Sequence, residues 1–240
     1  MEQLIILALV TLVASGIGTL SGFGTSTIMV PVLALALPLP VVLLFVGIIH
    51  FCGDIWKMLL FRQGLKPGLL LAFGLPGIIA AYLGARIPLG ADPAVLKRFL
   101  GAFLILYAAF VLARSRWRLP ANLRSAFLGG ALSGLFAGAF GVGGAVRGAF
   151  LSAFDLPRSV YIFTAGCIAF MIDFSRIGSY LAGGVRLPTV LALSLLLCIP
   201  VSFLGAFLAK KAVHKIPEGS FRSVVMVMLG LMALKLLFWP

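Results

Sequence analysis

Long apolar runs separated by short polar connections account for nearly the whole chain. Ten runs stand out, at residues 4–22, 24–37, 40–61, 67–86, 95–113, 123–139, 141–154, 157–181, 187–209 and 220–239. They are continuous rather than alternating, which predicts helices immersed in lipid and argues against a membrane β-barrel. A spanning helix takes about 20 residues. Runs 24–37 and 141–154 fall short of that length, and the other eight are long enough. The predicted fold class is an all-α polytopic membrane protein.

Both short runs open on a glycine turn. Residues 140–144 read Phe-Gly-Val-Gly-Gly, with Arg147 one turn further on, and residues 23–27 read Phe-Gly-Thr-Ser-Thr. Each short run ends near a proline, Pro157 or Pro40. An offset of 117 residues pairs Phe23 with Phe140, Gly24 with Gly141 and Pro40 with Pro157. A two-residue slip then pairs Asp54 with Asp173, Lys57 with Arg176 and Gly64 with Gly183. A second slip of two pairs Pro67 with Pro188, and Gly84-Ala85 with Gly205-Ala206. The landmarks predict two five-segment repeats, residues 1–113 and 123–240, joined by a basic linker at 114–122.

Five segments is an odd number, so the second repeat is expected to be inverted relative to the first. Loop charge tests this. If each short run pairs with its predecessor as a hairpin, or crosses alone, one side collects eleven basic residues: Arg62, Lys66, Arg114, Arg116, Arg118, Arg124, Arg158, Lys210, Lys211, Lys215 and Arg222. The other side collects four, Arg86, Lys97, Arg98 and Arg186. If each short run instead forms one broken span with its predecessor, the count is seven against eight and the bias vanishes. Positively charged loops face the cytoplasm. The bias therefore predicts an inverted repeat in the cell (inner) membrane with both termini outside and the linker cytoplasmic. Six full spans with two re-entrant hairpins, or up to ten helices, satisfy it. Inverted repeats of this kind build secondary transporters, with a site near the midplane.

Composition agrees. The chain of 240 residues is 62% hydrophobic and 10% charged, against about half and about a quarter in a soluble domain. Its net charge of +13 lies mostly in short connections, the pattern of topology signals rather than of nucleic-acid binding. Cys52, Cys167 and Cys198 fall inside apolar runs without metal-ligand spacing and are expected to be small core residues. The first run lacks a basic leader, and is expected to be retained as a helix.

The glycine turns are the first candidates for chemistry. A helix starting inside the membrane leaves about four N–H groups unpaired, and a bound anion satisfies them while the helix dipole favours its charge. This marks Gly24, Thr25, Ser26 and Thr27, with Gly141, Val142, Gly143 and Gly144, as an anion site. Arg147 supplies a fixed positive charge. Glycines in membrane helices also serve close packing, and Asp173 is available to Arg147 as a structural partner. Asp54 and Lys57, like Asp173 and Arg176, lie three residues apart on one helix face. They read either as self-neutralising couples that snorkel near a membrane face, or as the lining of a pathway. His50 shares the Asp54 face and is a candidate for proton coupling. No hydrolytic triad or phosphate loop is present, which argues against an enzyme, and no cofactor or metal is expected. The alternative to a transporter is a membrane scaffold whose glycine turns only pack helices.

The doubled pattern of Leu-Ser-Gly, glycine turn, short apolar run and Leu-Pro resembles the sulfite exporter TauE/SafE family of bacterial membrane proteins. The residues are Leu20-Ser21-Gly22-Phe23-Gly24 with Leu39-Pro40, and Leu132-Ser133-Gly134, residues 140–144 and Leu156-Pro157. The similarity covers nearly the whole chain. The second turn keeps the family's glycine run, whereas Thr25-Ser26-Thr27 replaces it in the first and Arg147 departs from a plain apolar helix. Both departures add donors. The resemblance implies transport of a small sulfur-containing anion, sulfite or a sulfonate such as sulfoacetate. The expected partners are that anion and the lipid bilayer, with coupled protons and self-association both compatible with the chain.

Overall fold

A computed structural model describes residues 2–21, 24–62, 64–113, 119–212 and 218–238. Phe23, Arg114, Arg116, Arg118 and Lys215, on which parts of the repeat and charge arguments rest, lie outside the described residues, as does most of the predicted linker. The same holds for the side chain of Arg222. The helices are α1 (Glu2–Ser21), α2 (Thr25–Ala34), α3 (Leu39–Leu60), α4 (Pro67–Gly84), α5 (Ile87–Gly90), α6 (Pro93–Ala113), α7 (Leu123–Phe140), α8 (Gly143–Leu151), α9 (Arg158–Ala182), α10 (Thr189–Ala212) and α11 (Glu218–Phe238). No strand occurs among the described residues.

Local chemistry explains many of the boundaries. Proline stands in the first turn of α3, α4 and α5, where its missing N–H costs nothing. The Asn122 side chain caps α7 by accepting from the Ser125 N–H at 2.9 Å, and Asp92 accepts from Ala94 and Val95 at the start of α6. Two expectations shift. Run 67–86 ends as a helix at Gly84 and hands over to the single turn of α5. Run 141–154 stops as an α-helix at Leu151 and finishes in a 3-10 turn, Ser152–Phe154, closed by Asp155 at φ 43°.

Six helices among the described residues are long and apolar enough to cross a membrane. Leu106, Phe174, Leu196 and Leu231 point outward on their surfaces, as a lipid solvent requires. Inside, α3 and α9 cross at the centre. Around them α4 packs on α7, α1 on α10, and α6 on α11, while the short α2 and α8 touch each other. Cys198 is buried and Cys52 and Cys167 are half-buried, all as free thiols.

The α4–α7 seam is built from backbone. A methyl group on Gly134 would collide with the Gly77 carbonyl, and one on Gly130 with the Phe73 carbonyl. Close approach of this kind is how membrane helices gain packing contacts without a hydrophobic drive. Gly134→Ala must push two helices apart, and overpacking costs about 1–3 kcal/mol. We expect a lower thermal unfolding midpoint in detergent. An unchanged midpoint would mean that these helices do not approach as described.

Candidate functional site

The two glycine turns are built differently. Gly24 sits at φ 84° and ψ 155°, a backbone region open essentially to glycine alone, and its N–H donates to Gly18 O at 3.1 Å. The chain folds back there tightly enough that a methyl on Gly18 would strike the 24–25 peptide. In the second turn Gly141 ends α7 in the left-handed region at φ 71°, and Val142 N–H reaches back to Phe136 O at 3.3 Å. α2 and α8 then start without a side-chain cap on either. Thr25, Ser26, Thr27, Val142, Gly143 and Gly144 are all buried.

A cluster of ionisable side chains lies between these turns on α3, α8 and α9. His50, Asp54, Lys57, Arg147, Asp173 and Arg176 are each 5% exposed or less. Lys57 Nζ donates to Asp54 Oδ1 at 2.7 Å, and Arg176 Nε donates to Asp173 Oδ1 at 2.7 Å. The couples neutralise themselves as expected, but inside the bundle, so neither basic group snorkels. His50 joins them across the α3–α9 crossing. Its Nδ1 lies 2.6 Å from Asp173 Oδ2 and 3.1 Å from Asp54 Oδ2. Asp173 is thus held on both oxygens and is not the partner of Arg147.

Arg147 is the exception. It makes no hydrogen bond or ion pair with any described residue, and its Nε is buried. Asp54, Asp173, Arg176 and Tyr161 lie within electrostatic reach. Among the described residues the count of buried formal charge is therefore uneven: two carboxylates face three basic groups, Lys57, Arg147 and Arg176, before any proton on His50. An unanswered buried charge costs several kcal/mol, so a site of this kind favours an anion.

His50, Asp54 and Asp173 also have the spacing of a metal site, with ligand atoms within 4.8 Å of one another. The fit is poor. Lys57 and Arg176 already occupy one oxygen of each carboxylate, and three cations would repel another.

Several residues of the region escaped the sequence reading. Tyr180, one turn beyond Arg176, donates its hydroxyl to Gly138 O, and Arg176 Nη1 donates to Ala137 O at 3.3 Å. Together they tie α9 to the end of α7, where the carbonyls carry the negative end of the helix dipole. On α1, Ser15 and Thr19 bury hydroxyls without a hydrogen-bond partner, as does Thr164 on α9. The four-residue spacing of Thr11, Ser15 and Thr19 was the legible signal of a polar stripe.

The cavity lined by Lys66, Ala72, Asn122, Leu123, Phe154 and Leu156, about 490 Å³, lies away from this cluster. No curated protein matches the chain. One family does, described as Sulfite exporter TauE/SafE, whose sequence model matches residues 7–236. With membrane-length helices and that match along nearly its whole length, the chain belongs to the sulfite exporter TauE/SafE family of membrane transporters.

Proposed function

We propose that the protein carries a small sulfur oxyanion, sulfite or an organosulfonate such as sulfoacetate, across the cell membrane by alternating access. The anion is held by the starts of α2 and α8, at Gly24, Thr25, Ser26 and Thr27 and at Gly141, Val142, Gly143 and Gly144, with Arg147 as counter-charge. N–H groups at helix starts without a side-chain cap favour a tetrahedral or pyramidal oxyanion over a spherical ion, although those of Gly24, Gly141 and Val142 already serve the carbonyls of Gly18, Ala137 and Phe136. The observation that carries this reading is Arg147, a buried cation with no carboxylate bonded to it.

The moving parts are two inverted repeats, residues 1–113 and 123–240, with the basic linker 114–122 on the cytoplasmic side and both termini outside. Reciprocal packing supports this. α4 of the first half lies on α7 of the second, and α10 of the second lies on α1 of the first. At the central crossing Gly47 of α3 faces the Arg176 guanidinium, while Gly166 of α9 faces Lys57. These are the same contact with the halves exchanged, at the offset that pairs Asp54 with Asp173. Two halves related in this way rock about a site on their shared axis.

Thermal unfolding of detergent-purified protein with sulfite, sulfate, sulfoacetate, methanesulfonate and chloride tests the anion site. A ligand at a hundredfold excess over its dissociation constant adds about 2.7 kcal/mol. At least one sulfur anion is expected to raise the midpoint where chloride at matched ionic strength does not. Equal midpoints throughout would count against an anion site.

A further inference from the structure

We infer that a doubly charged oxyanion enters this site together with one proton, which is taken up by His50 Nε2. The inference rests on the anion reading above and adds the coupling ion and its carrier atom.

The argument starts from the two ring nitrogens. Nδ1 lies between two carboxylate oxygens, at 2.6 Å from Asp173 Oδ2 and 3.1 Å from Asp54 Oδ2. Carboxylates only accept, so Nδ1 carries a hydrogen whatever the charge of the ring. Nε2 is the ring position left to gain a hydrogen. That atom is buried and has no hydrogen-bond partner. It is aimed at the start of α2, where a methyl group on Gly24 would collide with it. With the ring neutral, Nε2 presents a lone pair to the positive end of α2. The lone pair suits that field and repels an anion. With the ring protonated, Nε2–H faces the same positive end unfavourably unless an anion lies beside both. Each of the two ligands removes the penalty of the other, which is a coupling free energy between sites.

The surrounding charges set the stoichiometry. Against the ring lie Asp54 from α3 itself and Asp173 from α9; Lys57 and Arg176 are bonded to those two carboxylates, and Arg147 of α8 is within electrostatic reach of both aspartates. The thiols of Cys52 and Cys167 lie in the field of Asp54, and Tyr161 in that of Arg147. Among the described residues, α1, α2, α5, α6 and α10 bring no buried charge to it. The two acid–base couples cancel, which leaves Arg147. One fixed cation balances one negative charge. A dianion needs a second positive charge, and His50 is the group placed to gain it. Sulfite and sulfoacetate belong to that class.

Sulfoacetate and sulfate are suitable probes, because neither titrates near neutral pH. The wild-type protein in weak buffer is mixed with each, and the proton uptake is read with a pH indicator beside the binding isotherm. We expect about one proton taken up per anion bound, and an affinity that falls about tenfold per pH unit on the alkaline side. His50→Gln, which keeps a hydrogen-bonding end but cannot titrate, should bind more weakly and without proton uptake. Binding of a dianion by wild type with no proton uptake overturns this inference and leaves the anion site standing. So does uptake that persists in His50→Gln. Absence of binding by any dianion, sulfite included, overturns both. The wild-type stoichiometry is independent of whether the variant folds.

Discussion

Arg147→Met raises the stability of the anion-free protein and abolishes its stabilisation by sulfur anions. The two effects have one cause. The guanidinium is buried on α8, bonded to no described residue. A cation at the centre of a membrane helix costs about 2.5–3.5 kcal/mol on insertion scales, and this one has no partner to offset it. Methionine fills a similar volume with an unbranched apolar chain. The unfolding midpoint without anion should therefore rise. With anion the order reverses, because the wild type gains a charge-assisted contact that the variant cannot make. Midpoints of both proteins with and without sulfoacetate read this directly. Equal anion stabilisation in wild type and Arg147→Met would remove Arg147 from the site.

The second large effect is at Asp173. Its carboxylate accepts from Arg176 Nε on one oxygen and faces His50 Nδ1 on the other. Asp173→Ala strands a guanidinium 1% exposed, and arginine cannot shed its proton. Breaking a buried pair from one side costs about 3–5 kcal/mol. Asp54→Ala should cost less, because the Lys57 ammonium sits on a flexible stem and can turn toward another acceptor, whereas the Arg176 guanidinium is a rigid planar fork. The double variant Asp173→Ala/Arg176→Met removes both charges and should recover most of the loss. This double-mutant cycle also separates the ion pair from the anion site. If Asp173→Ala unfolds no more readily than Asp54→Ala, the crossing is held by packing and not by its charges.

Much of the frame was legible because its signals are local. A glycine that must adopt positive φ, followed by a short apolar run and a proline, marks a break in a membrane helix wherever the chain goes next. Both breaks fall at the expected residues, with α2 starting at Thr25 and α8 at Gly143. The pairs Asp54 with Lys57 and Asp173 with Arg176 were readable for a similar reason, since a helix places residues three apart on one face. The turn of α5 was harder to see, because a single turn between two proline-bearing segments leaves no periodicity to count.

An all-helical membrane chain, its two breaks, its two acid–base couples and the family to which they belong all follow from local patterns of residues. Length, glycine placement and helical spacing carry that information within a few residues of each other. Which of the buried groups are answered and which are not follows from how the helices pack. His50 meets Asp173 across 123 positions of sequence, Asp173 is thereby unavailable to Arg147, and Nε2 of the same histidine is turned toward Gly24. Those relations depend on where α3 and α9 cross and on how α8 folds back against them. No spacing along one helix encodes that, because the distance between charges on different helices is set by packing.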